Sequence, residues 1–259
     1  MKLAFFGGLY SNYLALEAAI ADASRRDVQQ LFCLGDMGAF GPHPDRVVSL
    51  LRDEGVACVQ GNYDDSIGNE LADCQCGYTD PRDNRFAQIS YDYTLEKTSP
   101  VHRRWLRGLP TSLNFELAGV RMHLCHGSPR RTNEFLWEST TSDRFLDRLI
   151  DPTNAEVVLG THTGLHWTRT TPRGRRFVNV GVLGRPANDG RTNVWYTVLD
   201  LSGQEVGVEF VPVEYDFLRL SNEMRDEGLP DEFTATIESG WWTTCLEVLP
   251  SRERRCGRH

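Results

Sequence analysis

The sequence lacks any apolar run of the ~18 residues that a membrane-spanning helix needs. Residues 1–7 are apolar too briefly before a glycine to form the hydrophobic segment of a secretory signal. A basic excess is also missing, because the formal net charge is −8 and the pI is about 5.4. An acidic surface does not attract nucleic acid or anionic lipid. We therefore expect a cytoplasmic protein that binds neither nucleic acid nor membrane.

Cysteine occurs in an odd number, seven, which disfavours a disulfide framework in a chain expected to be cytoplasmic. Cys33, Cys58 and Cys125 lie in apolar stretches and are expected to be small core residues. Cys74 and Cys76 lie in a polar segment, and their spacing does not match a zinc finger. They are expected to be either buried thiols or a source of one thiolate that reaches a nearby metal or substrate.

The first half of the chain alternates predicted strands and helices. Apolar runs at residues 3–6, 30–34 and 57–60 predict buried strands. Between them, Ser11 or Asn12 can cap one helix, and residues 47–51 indicate a second. This order predicts parallel pairing with right-handed crossovers.

The second half is richer in strands. Residues 113–117 and 120–125 flank Ala118-Gly119 and predict a hairpin. Further strands are expected at residues 156–159, 166–170, 176–180, 194–201 and 206–213, and helices at residues 103–109, 135–150 and 214–227. The polar, turn-rich segment at about 65–97 is typical of a lid. We expect one domain over residues 1–240 with this lid-like insertion, followed by a C-terminal tail at 241–259.

Five short polar motifs follow predicted strands, where the ligands of α/β sheets gather. They are Gly7-Gly8-Leu9-Tyr10, Gly35-Asp36, Gly61-Asn62-Tyr63-Asp64, His126-Gly127 and His162-Thr163-Gly164. Together they resemble the metal-site loops of the calcineurin-like metallophosphoesterase superfamily, which read D-x-H, G-D, G-N-H-D, H-G and G-H-T-H. The resemblance covers roughly residues 1–213. It implies an α/β fold, a four-layer α/β/β/α sandwich of two mixed sheets, and a site where two metals activate water.

When the motifs are matched position by position, this chain keeps the ligands of only one of the family's two metal sites. One site has Gly8, Tyr10 and Gly164 in place of its ligands and keeps only the shared Asp36. The other keeps all four of its ligands: Asp36, Asn62, His126 and His162. The resemblance therefore implies one divalent or ferric transition metal, Mn, Fe or Zn, held by two nitrogen and two oxygen donors, and no second metal is expected.

Each of these ligand assignments has a structural alternative. Asp36 and Asn62 are also common turn formers, and His126 and His162 are also compatible with hydrogen-bonded core histidines. The last loop can be aligned with Thr161 in the first histidine position, but placing His162 there matches His-Thr with His-Thr.

Two catalytic roles follow from the resemblance. Tyr63 replaces the histidine that assists the leaving group in the family, and a phenol with a pKa near ~10 is a poor general acid unless that pKa is shifted. A tyrosine phenolate can instead bind ferric iron, as in the related purple acid phosphatases, or the ring can simply fill space. Asp64 is expected to orient a neighbouring group. Tyr10 is a further possible ligand or substrate contact, with space filling as the alternative.

Anion contacts are also expected near the site. Gly7 and Gly8 precede a capped helix, so their backbone can form an anion-binding site or a plain tight turn. Arg130, shortly after the His126 loop, is a candidate substrate clamp.

These assignments favour a metal-dependent phosphoesterase that acts on a small phosphorylated molecule. Two alternatives remain open at this point: redox or lyase chemistry at iron on the same fold, and a pseudoenzyme that binds a phosphorylated ligand without turnover. The sequence leaves the substrate, the metal and the oligomeric state open.

Overall fold

The computed structural model describes residues 1–203 and 205–254. Its strands are β1 Lys2–Phe6, β2 Gln30–Cys33, β3 Ala57–Cys58, β4 Ser112–Leu117, β5 Val120–Cys125, β6 Val157–Gly160, β7 His166–Thr170, β8 Arg176–Val180, β9 Val194–Asp200 and β10 Gly207–Val213. Its helices are α1 Tyr13–Arg25, α2 Pro44–Asp53, α3 Asn62–Asn69, α4 Pro81–Lys97, α5 Pro100–Arg107, α6 Asp143–Ile150, α7 Phe217–Asp226, α8 Asp231–Ser239 and α9 Ser251–Arg254. None of these helices is both long and apolar enough to cross a bilayer.

The strands form two sheets of mixed direction. The first has the order β10-β9-β1-β2-β3, in which β1, β2 and β3 are parallel and β9 runs antiparallel to both of its neighbours. The second has the order β4-β5-β6-β8-β7, in which β5, β6 and β8 are parallel and the edge strands are antiparallel. The predicted parallel βαβαβ unit and the predicted hairpin are both confirmed.

The two sheets pack face to face, with helices on their outer faces. Successive side chains of a strand point to opposite faces, and in β1 Leu3 and Phe5 belong to the core between the sheets. Aromatic rings from both sheets stack in that core: Phe32 lies between Phe5 and Phe115, with a centroid distance of 5.1 Å to each. Ala4 and Phe6 face the core under α1 and α2. The four-layer α/β/β/α sandwich is therefore confirmed.

A side-chain cap fixes the start of α1 beside the first loop. The Asn12 side chain accepts a hydrogen bond from the Ala15 N–H at 3.0 Å, which satisfies one of the free donors of the first turn. Its amide nitrogen donates to the Gly184 carbonyl at 3.1 Å. One residue therefore caps the helix and ties the first loop to the loop after β8.

The prediction of a helix across residues 135–150 is wrong for its first half. Only Asp143–Ile150 is helical, with Ser142 as the N-cap. The preceding residues are held by tertiary contacts: the Trp167 indole donates to the Leu136 carbonyl at 3.0 Å, and Phe135 stacks on Trp137 at 5.7 Å. These contacts keep the segment out of the helix.

The segment at 65–97 is more regular than its composition suggested. It contains most of α3 and all of α4, and Asp80 caps α4 by accepting from the N–H groups of Arg82 and Asp83. Of the predicted C-terminal tail, residues 255–259 lie outside the described residues. The described part buries Trp242 against the body, and helix α8 before it was not predicted.

Candidate metal centre

Three side chains that follow different strands converge at one edge of the sheets. Asp36 follows β2, His126 follows β5 and His162 follows β6, and their ligand atoms all lie within 4.8 Å of one another. The His126 Nε2 atom is 3.1 Å from Asp36 Oδ2 and 3.2 Å from His162 Nδ1. All three side chains are buried. Such a group of one carboxylate and two imidazoles is a candidate metal-binding triad.

A hydrogen bond to the backbone fixes the orientation of the His126 ring. Its Nδ1 lies 2.6 Å from the Leu34 carbonyl oxygen, which can only accept, so Nδ1 carries a proton and donates. Nε2 is then directed at Asp36 and His162, the arrangement in which a second hydrogen bond orients a metal-binding histidine.

The charges of the triad act on one another. Burial lowers the pKa of His126, but its contacts with Asp36, the Leu34 carbonyl and Asp64 together raise it, and the net pKa lies above its ordinary value. Burial raises the pKa of Asp36, whereas His126, His162 and the Tyr63 N–H together lower it to a net value below the ordinary one. Burial and the neighbouring His126 lower the pKa of His162 to about 3. The Asp36 carboxylate and a protonated His126 thus stabilise each other, and a bound cation would take the place of that proton.

One buried acceptor on the loop next to the triad has no hydrogen-bond partner within the described chain. It is Asn62 Oδ1, and the N–H of the next residue, Tyr63, donates to Asp36 Oδ1. The Asn62 amide nitrogen donates to the Cys74 carbonyl at 2.8 Å, which leaves Oδ1 free. Buried polar atoms are rarely left unsatisfied, so such an atom needs an explanation. A cation held by Asp36, Asn62, His126 and His162, the last through its Nδ1 atom, would satisfy it, and the donor set fits Zn, Mn or Fe.

Asp64 organises the loops around this centre. Its carboxylate accepts from the backbone N–H groups of Asp36 at 2.8 Å, Met37 at 3.0 Å and Gly61 at 2.8 Å. Asp36 has a φ of 57°, in the left-handed region, and these bonds hold that conformation. Burial and the Asp36 charge raise the pKa of Asp64 to about 6. Its contacts are those of a residue that positions a neighbour.

The two tyrosines lie on the wall of the same cavity. The Tyr63 N–H donates to Asp36 Oδ1 at 3.1 Å, and its hydroxyl donates to the Ala87 carbonyl at 3.3 Å. Burial raises the pKa of both Tyr63 and Tyr10 above the ordinary value. Burial thus favours the neutral phenol at both positions, and the Tyr63 hydroxyl is engaged with the Ala87 carbonyl.

The family positions of the other metal are crowded by side chains. A Cβ on Gly8 would lie 2.6 Å from the Tyr10 ring. A Cβ on Gly164 would lie 2.8 Å from Trp242 and 3.5 Å from Arg185 Nη2, and the φ of Gly164 is +83°. Bulky side chains therefore occupy the space beside both glycines that replace family ligands, Gly8 and Gly164.

The cavity beside the triad has a volume of about 50 Å³, space for roughly four water-sized groups. Its wall includes Tyr10, Asp36, Phe40, Tyr63, Cys76, Tyr78, His162, Arg185, Phe233 and Cys245.

The expectation of free thiols at Cys74 and Cys76 is wrong. The two residues form a disulfide, so neither thiolate can bind a metal in this state. Their backbone and sulfur atoms instead surround Asn62, with Cys76 Sγ 3.5 Å from its amide nitrogen. Both side chains are buried, Gln75 between them has a φ of 52°, and the two Cα atoms are 5.2 Å apart, none of which the count of cysteines indicated.

Arg130 is not brought to the cavity. It lies at the surface, where its Nε donates to Glu134 at 2.9 Å and its guanidinium lies 4.9 Å from the Phe145 ring centroid. It is not among the residues that line the cavity.

The first loop offers little to an anion. The N–H groups of Leu9 and Tyr10 both donate to the Asp36 carbonyl, at 2.8 and 3.2 Å, and Ser11 donates to Met37 at 2.9 Å. Gly7 is required for packing, since a Cβ there would lie 1.8 Å from the Gly181 carbonyl oxygen. The geometry of Gly7 and Gly8 is that of a closely packed turn.

Sequence reasoning missed Arg185, Trp242 and Cys245. Arg185 follows β8, which ends at the same edge as the triad, and this position was a usable signal. Trp242 and Cys245 belong to the C-terminal segment, and no local sequence pattern there indicated that it contacts the site.

Comparison with known proteins agrees with this geometry. Residues 1–204 match the family model described as the calcineurin-like phosphoesterase superfamily domain. An uncharacterized protein of Methanocaldococcus jannaschii is 24% identical over 244 residues, which cover 88% of this chain and 94% of the relative. A metallophosphoesterase from Sphaerobacter thermophilus has a similar structure, with 24% identity, a TM-score of 0.71 and coverage of 93% of this chain and 99% of that one. A protein from Pyrococcus horikoshii covers the same shares at 21% identity and a TM-score of 0.78.

Proposed function

Because the chain belongs to the calcineurin-like phosphoesterase superfamily, we propose that it hydrolyses phosphate esters of a small molecule at a centre with one metal. The metal is Mn, Fe or Zn. Its ligands are Asp36, Asn62, His126 and His162.

The observation that carries this proposal is the buried Asn62 Oδ1, an acceptor without a partner in the described chain, on the loop that also donates to Asp36 of the Asp36–His126 pair. A protein that used Asn62 only for packing would be expected to pair this oxygen. A cation is the simplest group that satisfies an amide oxygen, an imidazole nitrogen and a carboxylate together.

The protein's own groups have separable tasks in this proposal. A bound metal supplies a Lewis acid for the phosphoryl oxygen and lowers the pKa of bound water. Asp64 holds the Asp36 loop in its left-handed conformation. The Leu34 carbonyl fixes the tautomer of His126. Tyr63 lies on the cavity wall as a neutral phenol whose hydroxyl donates to the Ala87 carbonyl, so in this proposal it shapes the cavity and is not the base that accepts a proton from water.

Elemental analysis and hydrolysis of an aryl phosphodiester and an aryl phosphomonoester test the proposal. We expect one metal per chain and turnover that falls at least about a hundredfold in Asp36→Ala and His126→Ala. The matched control is His123→Gln, three residues before His126, where the imidazole bonds to Asn114 at 2.8 Å.

Three results would each change the proposal. Two tightly bound metals per chain would contradict the single centre. Phosphate-dependent stabilisation without turnover would favour a binding protein. Tightly bound iron with colour and no hydrolysis would favour redox chemistry. We also propose a cytoplasmic location, which cell fractionation would test.

A further inference from the structure

Arg185 is a buried cation without an anionic partner. Its exposed fraction is 6%, and its Nε has no hydrogen-bond partner. Across residues 1–203 and 205–254, no carboxylate lies within ion-pair distance of it. A guanidinium stays charged at any pH that a folded protein tolerates. Burying such a charge is unfavourable unless another group compensates.

Aromatic rings supply part of that compensation. The Arg185 guanidinium lies 3.7 Å from the Trp242 ring centroid, 5.5 Å from Tyr10 and 5.9 Å from Phe40. Ring faces attract a cation, but they do not accept its N–H groups as a carboxylate or phosphate does. The rings therefore hold the guanidinium in place, the Cys245 side chain takes one of its contacts, and the Nε–H group is left as a donor for a ligand.

The backbone around Arg185 is tied to the first loop. The N–H groups of Leu183 and Gly184 donate to the Gly8 carbonyl at 3.0 and 2.8 Å. Gly184 also packs directly on that loop, since a Cβ there would lie 2.4 Å from the Leu9 carbonyl oxygen. The cation is thus held beside the loop where the family carries two ligands of its other metal, so little ordering is needed when a ligand binds.

The guanidinium also lies next to Gly164, which stands where the family has the last histidine ligand of its other metal. Its Nη2 is 3.5 Å from where a Cβ on Gly164 would be. Arg185 lines the same small cavity as Asp36 and His162. The triad is therefore on one wall and a fixed positive charge is on another.

We propose that Arg185 takes the place of the second metal and binds the non-bridging oxygens of the substrate's phosphoryl group. This inference rests on the proposed phosphoesterase function. A planar guanidinium suits the purpose because it can donate two parallel hydrogen bonds to one tetrahedral oxyanion. The space of about 50 Å³ suits a phosphoryl group without room for much else, so the rest of a substrate would have to extend outside it.

The test measures binding of inorganic phosphate by calorimetry to the full chain, both metal-loaded and after metal removal. The first variant is Arg185→Met, which removes the charge and keeps a side chain of similar length. The second is Arg185→Lys, which keeps a positive charge but lacks the planar guanidinium that donates two parallel hydrogen bonds. The control is Arg130→Met, which removes a surface arginine paired with Glu134. Metal content and the thermal midpoint are recorded for every variant.

We expect Arg185→Met to weaken phosphate binding by about ten- to a hundredfold, the range of hydrogen bonds to charged groups, while metal content stays unchanged. Arg185→Lys should fall between it and the wild type, and Arg130→Met should bind as the wild type does. If Arg185→Met does not fold, the lysine variant decides the question, because a merely structural cation would leave its phosphate affinity unchanged.

The outcomes separate this inference from the proposed function. Equal phosphate affinity in the wild type and a folded Arg185→Met, with hydrolysis intact, overturns the role of Arg185 alone. Loss of phosphate binding in Arg185→Met, in a protein that binds no metal and hydrolyses nothing, supports the anion site and removes the proposed hydrolysis. Failure of the wild type to bind phosphate in either metal state overturns the inference as well.

Discussion

The Asn62 side-chain nitrogen donates to the Cys74 carbonyl at 2.8 Å, and this single bond determines which end of the amide is left without a partner. An amide has one donor end and one acceptor end, so satisfying the donor on the backbone leaves the oxygen available to a ligand. The segment that carries the disulfide thereby acts on the candidate centre without supplying a ligand of its own.

Asn62→Ala should reduce the metal content of the purified protein. It removes one oxygen donor and leaves the Cys74 carbonyl without its bond, so metal affinity should fall at least about tenfold, as is usual when metal sites lose a contact. Titration with a competing chelator measures the change. Asn69→Ala, at the far end of the same helix, is the control because its side chain bonds to Asp65, one turn earlier, and not to the Cys74 carbonyl. Unchanged metal content in Asn62→Ala would remove this residue from the ligand set.

Asp64→Asn should destabilise the fold more than Asp65→Asn does. The Asp64 carboxylate accepts three backbone N–H groups, whereas an amide would turn a donor towards at least one of them. A buried donor left unsatisfied costs about 1–3 kcal/mol, and denaturant unfolding at neutral pH measures the loss. Asp65 is only partly buried and accepts one bond from Asn69, so its variant should change stability by less than about 0.5 kcal/mol. Equal losses would argue against a special role for Asp64.

Gly164→Ala should be more destabilising than Gly174→Ala. Both glycines have positive φ, +83° and +77°, so both variants incur a backbone cost of about 1–2 kcal/mol. A Cβ on Gly174 meets nothing within 4 Å, whereas a Cβ on Gly164 would lie 2.8 Å from Trp242. Overpacking adds about 1–3 kcal/mol at Gly164 alone. The difference between the denaturation midpoints of the two variants measures the cost of the contact with Trp242. Equal midpoints would mean that Trp242 moves aside without cost.

Acidification should destabilise the protein partly through His166. Burial lowers the pKa of His166 to about 4, and its ring lies 4.5 Å from Trp195 and 4.6 Å from Phe210. Between pH 6.5 and 4 the unfolded chain binds a proton that the folded chain excludes. This stability is therefore complete above pH 6.5 and is lost as the pH falls towards 4.

His166→Phe keeps the ring packing and removes the titration. Its stability relative to the wild type should improve as the pH falls, at up to about 1.4 kcal/mol per pH unit and by about 3 kcal/mol in all. The difference between the two proteins cancels other titrating groups, including the candidate ligands. A difference that stays constant from pH 7 to 4 would show that His166 titrates alike in both states.

The alternation of apolar runs with polar motifs predicted much of the sandwich because each strand is a local pattern. A buried strand needs only a short apolar run and a turn former, and both can be read directly at residues 30–36. The helical extent of 135–142 could not be read in this way. There the contacts of Leu136 with Trp167, and of Phe135 with Trp137, outweigh helical periodicity.

The sequence by itself determined that Asp36, Asn62, His126 and His162 follow neighbouring strands, because the ends of parallel strands meet at one edge whatever the details of packing. Only the tertiary structure decided which end of the Asn62 amide is left without a partner and that Cys74 and Cys76 are joined. It also decided what stands beside Gly164: Arg185 and Trp242 reach it from 21 and 78 residues further along the chain (185 − 164 and 242 − 164). Contacts over such separations depend on how whole layers pack, and no local pattern encodes that packing.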